Sequence, residues 1–183
     1  MRKGSLFLSI GLVALVTLSF LVVVFRNAPK NSSYSVSDSP VFKDTIEIYK
    51  NGKLVDIAHN TLTDIGKDWI EDQMKNPQSV NKTKWITLSS NSGDCTSSAK
   101  YLANEITTSG LGKAECTITD VGTGSYSCEE TFTATGTVSN VQVAGLHWNS
   151  TAQADDMLAC GTFTAVNLEA NDQLTVRWNV TIS

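Results

Sequence analysis

The sequence predicts a mainly β fold: an antiparallel β-sandwich of jelly-roll or Ig-like type with one short helix, preceded by an N-terminal helix of transmembrane type. Three observations carry this. Residues 174–183 alternate without a break, with Leu174, Val176, Trp178, Val180 and Ile182 on one face and Thr175, Arg177, Asn179, Thr181 and Ser183 on the other. A strand of that pattern has one face on a core and one in water. Asn51-Gly52 separates two alternating runs, and this dipeptide accepts positive φ at both central positions of a type I′ hairpin turn. Ser5 to Phe25 carries no charge and is long enough, at ~1.5 Å per residue, to cross a hydrocarbon core of ~30 Å.

The N-terminal run (domain 1–26) admits three readings. Arg2 and Lys3 before it suit an uncleaved anchor with a short cytoplasmic tail, although Arg26 and Lys30 follow on the outer side. A cleaved secretory signal is the second reading; the run is long for one and shows no A-x-A site. In the third, Lys3-Gly4-Ser5 ahead of a long apolar helix resembles the cleavage site of archaeal pilins and archaellins, and the retained helix would lie in a filament core. Each reading exports the rest. Residues 27–42 are polar, with Pro29 and Pro40, and read as a flexible stalk spanning on the order of 20 Å or as a strand donated to a neighbouring subunit. Residues 43–183 make one extracellular domain of ordinary size.

Within that domain, Thr45–Tyr49 and Lys53–His59 form the first hairpin. A helix follows over NTLTDIGKDWIEDQMKNP, with an apolar stripe of Ile65, Trp69 and Met74, a cap at Thr63 or Thr61, and an end at Asn76-Pro77. The stripe covers one end or face of the sheet. Trp85–Ser89 alternates as a strand. Lys100–Ile106 reads as a short strand or a helical turn, and Gly110 and Gly112 break the chain. A second hairpin joins AECTITD to SYSCEETFTATGTVS. Val141–Trp148, Met157–Leu168 and the C-terminal run complete about eight strands.

The cysteines fit an exported domain. Cys95, Cys116, Cys128 and Cys160 show no C-x-x-C spacing, so two disulfides are expected rather than zinc. A three-residue loop at Val121–Thr123 would set Cys116 opposite Cys128 at a bridgeable distance, which leaves Cys95 for Cys160. Sequons at Asn31, Asn81, Asn149 and Asn179 fit a glycosylated surface protein.

The chain has a recognisable cadence: KNGKLVDIAHNTLTDIGKDWI, WITLS, YLANEI, GSYSCEETFTATGTVSNVQVAGLHW and GTFTAVNLEANDQLTVRWNVTIS. Its marks are the N-x-L-T helix start at Asn60, the Leu-x-Asn-Glu-Ile step at Leu102, Thr-Phe-Thr-Ala-Thr at Thr131 and Asp-x-Leu-x-Val-x-Trp at Asp172. This resembles a β-sandwich module of archaeal surface proteins and of virion or tail-fibre-type proteins. It is similar in architecture to subunits of thread-like archaeal filaments built by strand donation. The resemblance implies architecture more than activity.

No chemistry is legible. The net charge of −4 offers no basic patch for nucleic acid. His59 and His147 have no marked partners for catalysis or metal. Asp155-Asp156, Glu129-Glu130 and Glu71-Asp72 lack the ligand spacing of a calcium loop. No G-x-S-x-G or phosphate-binding glycine loop is present. The expectation is therefore no enzyme, no cofactor, no metal site and no catalytic residue. The expected partners are a membrane, through residues 5–25, and neighbouring subunits. Expected roles are an exported structural subunit of a cell-surface filament or coat, a membrane-anchored monomeric binding module, or a virion structural protein. The place is the cell membrane with an extracellular domain, or an extracellular filament.

Overall fold

The structure, a computed structural model, describes residues 42–75 and 82–182. The apolar run, the stalk up to residue 41, the sequons at Asn31 and Asn81, the Asn76-Pro77 helix end and the Met74 side chain lie outside the described residues, while Phe42, placed in the stalk by the sequence, belongs to the first strand.

Nine strands, one α-helix and one short 3-10 turn make up the described fold. They are β1 (Phe42–Lys50), β2 (Lys53–Leu62), α1 (Asp64–Lys75), β3 (Trp85–Ser89), the turn Ser92–Asp94, β4 (Ala114–Glu115), β5 (Thr117–Gly122), β6 (Ser125–Thr133), β7 (Val138–His147), β8 (Met157–Leu168) and β9 (Gln173–Ile182). All pairings are antiparallel, in the order β4-β3-β7-β8-β2-β1-β9-β6-β5. The two end strands, β4 and β5, are consecutive in the chain and separated by Cys116 alone. The sheet therefore nearly closes on itself. Closure hides edges that would otherwise be open to pairing.

The first hairpin turns where the sequence places it. Asn51 has φ 50° and Gly52 φ 75°. Asn51 also docks the hairpin on the turn before β9: its amide donates to Asp172 Oδ1 at 2.8 Å, and Gln173 N donates to Asn51 Oδ1 at 2.8 Å. Asp172 gathers the Asn51 amide, the Glu169 N–H and the Lys50 ammonium, which hold its carboxyl well below the usual carboxylate range. On β9, Leu174, Val176, Trp178 and Val180 are buried as the alternation requires. Ile182 is 55% exposed, because the strand ends there. With Ile46, Ile48, Leu88, Leu146, Leu158 and Leu168 these residues form the main core.

Helix α1 begins at a cap supplied by Thr63, one of the two candidates. Gly66 N donates to Thr63 Oγ1 at 3.0 Å, and the hydroxyl donates to Met157 O at 2.5 Å. Thr61 is instead a strand residue, paired with Cys160. A Cβ at Gly66 would sit 2.1 Å from Leu158 O, so only glycine lets α1 approach β8 this closely.

Three features refine or correct the sequence reading. First, Thr87 and Ser89, which alternate with Ile86 and Leu88 on β3, are both fully buried. Residues 90–105 lie over the outer side of β3, β7 and β8, where Leu102, Val143, Met157 and Cys160 form a second small core, while Ile106 and Leu111 pack with the main core. Second, Lys100–Ile106 is a turn, closed by Glu105 N to Leu102 O at 3.1 Å, with one bridge from Glu105 to Ser89. Third, Cys128 stands opposite Ile118, not Cys116, because the hairpin turns at Thr123-Gly124 with a bulge between Asp120 and Gly122. The disulfide joins Cys116 to Cys128 nonetheless, with Cα atoms 5.4 Å apart. Cys116 is the kink between β4 and β5, its N–H donates to Lys84 O, and its buried side chain enters the core beside that of Cys128. The same kink divides the expected AECTITD strand and raises the count to nine. Cys95 pairs with Cys160 at 5.5 Å and fastens the covering segment to β8.

Candidate interaction site

The start of β1, the end of β9, β6, β5 and α1 enclose an apolar cavity of about 760 Å³. Its walls are Phe42, Val180, Ile182, Tyr126 and Ile118 from the strands, Trp69 and Ile70 from the helix, and Leu62 and Leu158 beneath. Trp69 is held in place by stacking on Trp148, with centroids 5.7 Å apart and planes 15° from parallel. Among the described residues, Trp69 Nε1 and Gln73 Nε2 are buried without a hydrogen-bond partner. Thr83, Lys67 and Lys82 complete the lining with Gln73, and Lys67 is paired with Asp64 at 2.8 Å.

Strand β5 forms one side of this cavity. All six of its residues are exposed, including Ile118 at 43% and Val121 at 65%. It pairs with β6, and no other described strand pairs with its outer edge. An unpaired edge offers N–H and C=O groups to another chain. The bulge and Asp120, whose carboxylate accepts from Gly122 N at 2.9 Å, limit how much of that edge is usable.

Asp44 lies on the inward face of β1, 5% exposed. Asn60 Nδ2 donates to its Oδ2 at 2.7 Å, while Oδ1 has no partner among the described residues. Burial pushes the carboxyl up to about 7, against the opposing hydrogen bonds from Asn60 and the Thr181 backbone.

The outward face of β1, β9, β6 and β5 is polar. Arg177 is central: its Nη1 is 3.0 Å from Glu47 Oε2, its Nε donates to Glu129, and its guanidinium lies 5.3 Å from the centre of the Tyr49 ring. Thr131 and Thr175 share a hydrogen bond at 2.8 Å.

Two buried polar networks went unread in the sequence. Thr87 Oγ1 is 2.8 Å from His147 Nε2, His147 Nδ1 is 2.7 Å from Asp156 Oδ1, and Lys113 Nζ is 3.1 Å from Asp156 Oδ2. Gly145 makes the room, since a Cβ there would meet both His147 Nε2 and Thr87 Oγ1 at 2.8 Å. Hydroxyl, imidazole and carboxylate in that order is the arrangement of an activated nucleophile. Here Thr87 is 0% and His147 1% exposed, so no external substrate reaches the hydroxyl. Burial lowers the His147 pKa, with the hydrogen bond it donates to Asp156 acting in the opposite direction. The second network centres on Asp94, which accepts from Ser89 Oγ at 2.6 Å, Asn104 N at 2.8 Å and the amides of Asn91 and Asn104. It folds the covering segment onto β3 beside Cys95. The signal for the first network was the lack of alternation in Val143–His147 and Met157–Gly161, since strands covered on both faces read as continuous runs.

The remaining site residues are dispersed. His59 is exposed on β2. Asn149 is exposed, with Thr151 N donating to its Oδ1 at 3.3 Å. Asn179 is half-buried in mid-strand, and its amide nitrogen donates to Glu47 Oε1 at 3.0 Å. No group of three or more His, Cys, Asp or Glu among the described residues is placed to hold a metal ion. No described helix is long and apolar enough to cross a membrane.

No protein-family model, no curated protein and no solved structure matches this chain.

Proposed function

We propose that the chain is an exported structural subunit of a cell-surface filament or coat, joined to its neighbours through the open apolar cavity and the adjoining edge of β5. The observation that carries this reading is their juxtaposition: an apolar cavity of about 760 Å³ bordered by an edge strand whose every residue is exposed and whose outer edge pairs with no described strand. The strand immediately preceded by residues 1–41 begins at Phe42, in the wall of that cavity. On this reading residues 5–25 reach the membrane or a filament core, the stalk gives the domain reach, and the nearly closed sheet is a sandwich of jelly-roll or Ig-like type. Two disulfides suit a domain that works outside the cell.

The test uses the full chain recovered from membrane and extracellular fractions, with its N-terminus sequenced. The wild type is expected to form multimers visible by electron microscopy. Ile118→Asp, which puts a charge into the cavity wall, is expected to abolish them and leave the melting temperature within a few degrees of wild type. A wild-type chain that stays monomeric in both fractions would overturn this reading. It would favour the second one, a membrane-anchored monomeric module whose cavity takes an apolar ligand.

A further inference from the structure

We propose that Lys113 and Asp156 become joined by an intramolecular amide bond, with Glu105 as the group that moves the protons. This does not rest on the proposed function.

The geometry is that of a reactive pair held in place. Lys113 Nζ faces the Asp156 carboxyl, 3.1 Å from Oδ2 and 3.5 Å from Oδ1. The two side chains are 4% and 2% exposed. A lysine is almost never buried this far, and burying an ion pair costs much of what the attraction returns. Condensation removes both charges at once. Each partner is oriented independently of the other. Lys113 Nζ donates to Thr151 O at 2.9 Å, and the Asp156 backbone is tied to Lys100 O, Ala154 O and Trp148 N. Asp156 Oδ1 accepts from His147 Nδ1, an N–H placed where negative charge would develop on that oxygen.

Glu105 supplies the proton transfer. Its Oε2 accepts from Gln153 N at 3.2 Å, and its Oε1 is buried with no partner among the described residues. It makes no direct hydrogen bond or ion pair with Lys113 or Asp156, so it exchanges protons with them through one water; burial raises its pKa, with the Lys113 and Asp156 charges acting on it in opposite directions. A carboxyl with a raised pKa can carry a proton at neutral pH and give it away.

The step balances without any other reagent. The Lys113 ammonium returns a proton to the Asp156 carboxylate, leaving an amine and an acid. Nζ adds to Cγ, and the carbonyl π pair moves onto Oδ1 against the His147 N–H. Glu105 protonates the Oδ2 hydroxyl, which leaves as water when the Cγ–Oδ2 bond breaks, and takes the surplus proton from Nζ. An ammonium and a carboxylate become a neutral amide and one water. Fixed proximity of this kind corresponds to effective concentrations of roughly 10⁵–10⁸ M, which favours condensation over the open pair.

Trypsin reads the outcome directly. No Lys or Arg lies between Lys113 and Arg177, so an unlinked chain yields Tyr101–Lys113 and Ala114–Arg177. The full chain, reduced, alkylated and freed of glycans, is expected to yield a single Tyr101–Arg177 peptide lighter by one water. Glu105→Gln is expected to restore cleavage after Lys113 and the lost water in most of the protein, and Lys113→Met to restore the water in all of it. Wild-type protein cut after Lys113, or uncut but of full mass, would overturn the proposal and leave an ordinary buried ion pair. The wild-type result decides the matter even if a variant fails to fold.

Discussion

Asp44 shows how one buried residue sets a pH dependence. Its folded pKa of about 7 stands above the ordinary 3.8. Between these values the folded chain holds a proton that the unfolded chain releases, so this group's contribution falls as pH rises from about 4 to about 7. His147 acts the other way: with its folded pKa lowered below 6.5, it costs stability as pH falls through that value. The difference between wild type and Asp44→Asn isolates the carboxyl. The variant is expected to melt higher than wild type at pH 8 and to lose the advantage at pH 4, by thermal denaturation across that range. Equal gaps at both ends would remove Asp44 as the cause. Gly66 shows a steric limit at the same scale. Gly66→Ala drives a Cβ into the Leu158 carbonyl and is expected to cost about 1–3 kcal/mol by urea denaturation. The gain in helix propensity, about 1 kcal/mol, does not offset it.

Single elements are held by long-range fasteners as much as by their own propensity. The bridges close loops of unequal length, with sequence separations of 65 for Cys95–Cys160 and 12 for Cys116–Cys128. Loop-closure entropy then predicts losses of about 4 and about 3 kcal/mol when each pair is replaced by serines. Denaturant titrations of the two double variants under oxidising conditions check this ranking. The reverse order would mean that local packing around Cys116, at the closure of the sheet, outweighs chain entropy. Helix α1 depends on the Thr63 hydroxyl in two ways, as cap and as donor to Met157 O. Thr63→Ala is expected to cost about 1–2 kcal/mol. Its helical signal should fall with no change in the β signal by circular dichroism.

At the scale of the molecule, near-closure leaves few strand edges open, and β5 is an open one that lies beside an apolar opening. Backbone amides at such an edge exchange with solvent far faster than those of the central strands β1 and β9. In the monomer the β5 amides directed away from β6 are expected to exchange fastest among the strands. In assembled material they are expected to be protected. Protection confined to the polar face around Arg177 would instead place the contact there.

Much of this organisation is local and was legible in the residues themselves. Alternation in Leu174–Val180 determined which face of β9 is buried, Asn51-Gly52 determined the first turn, and Thr61 or Thr63 ahead of an apolar stripe placed the start of α1 to within two residues. Each depends on groups within a few residues of one another, so the backbone's own geometry decides it. The partners of Cys116, the burial of Thr87 and Ser89, and the meeting of Lys113, His147 and Asp156 depend on which distant segment covers which face. Residues 90–105 look like a polar loop, and nothing within them says that they lie across β3, β7 and β8. The hairpin register had the same weakness: a bulge and a shorter turn move every partner while leaving the sequence pattern intact. Only the tertiary structure brings those segments together, because burial and ion pairing are properties of neighbours in space.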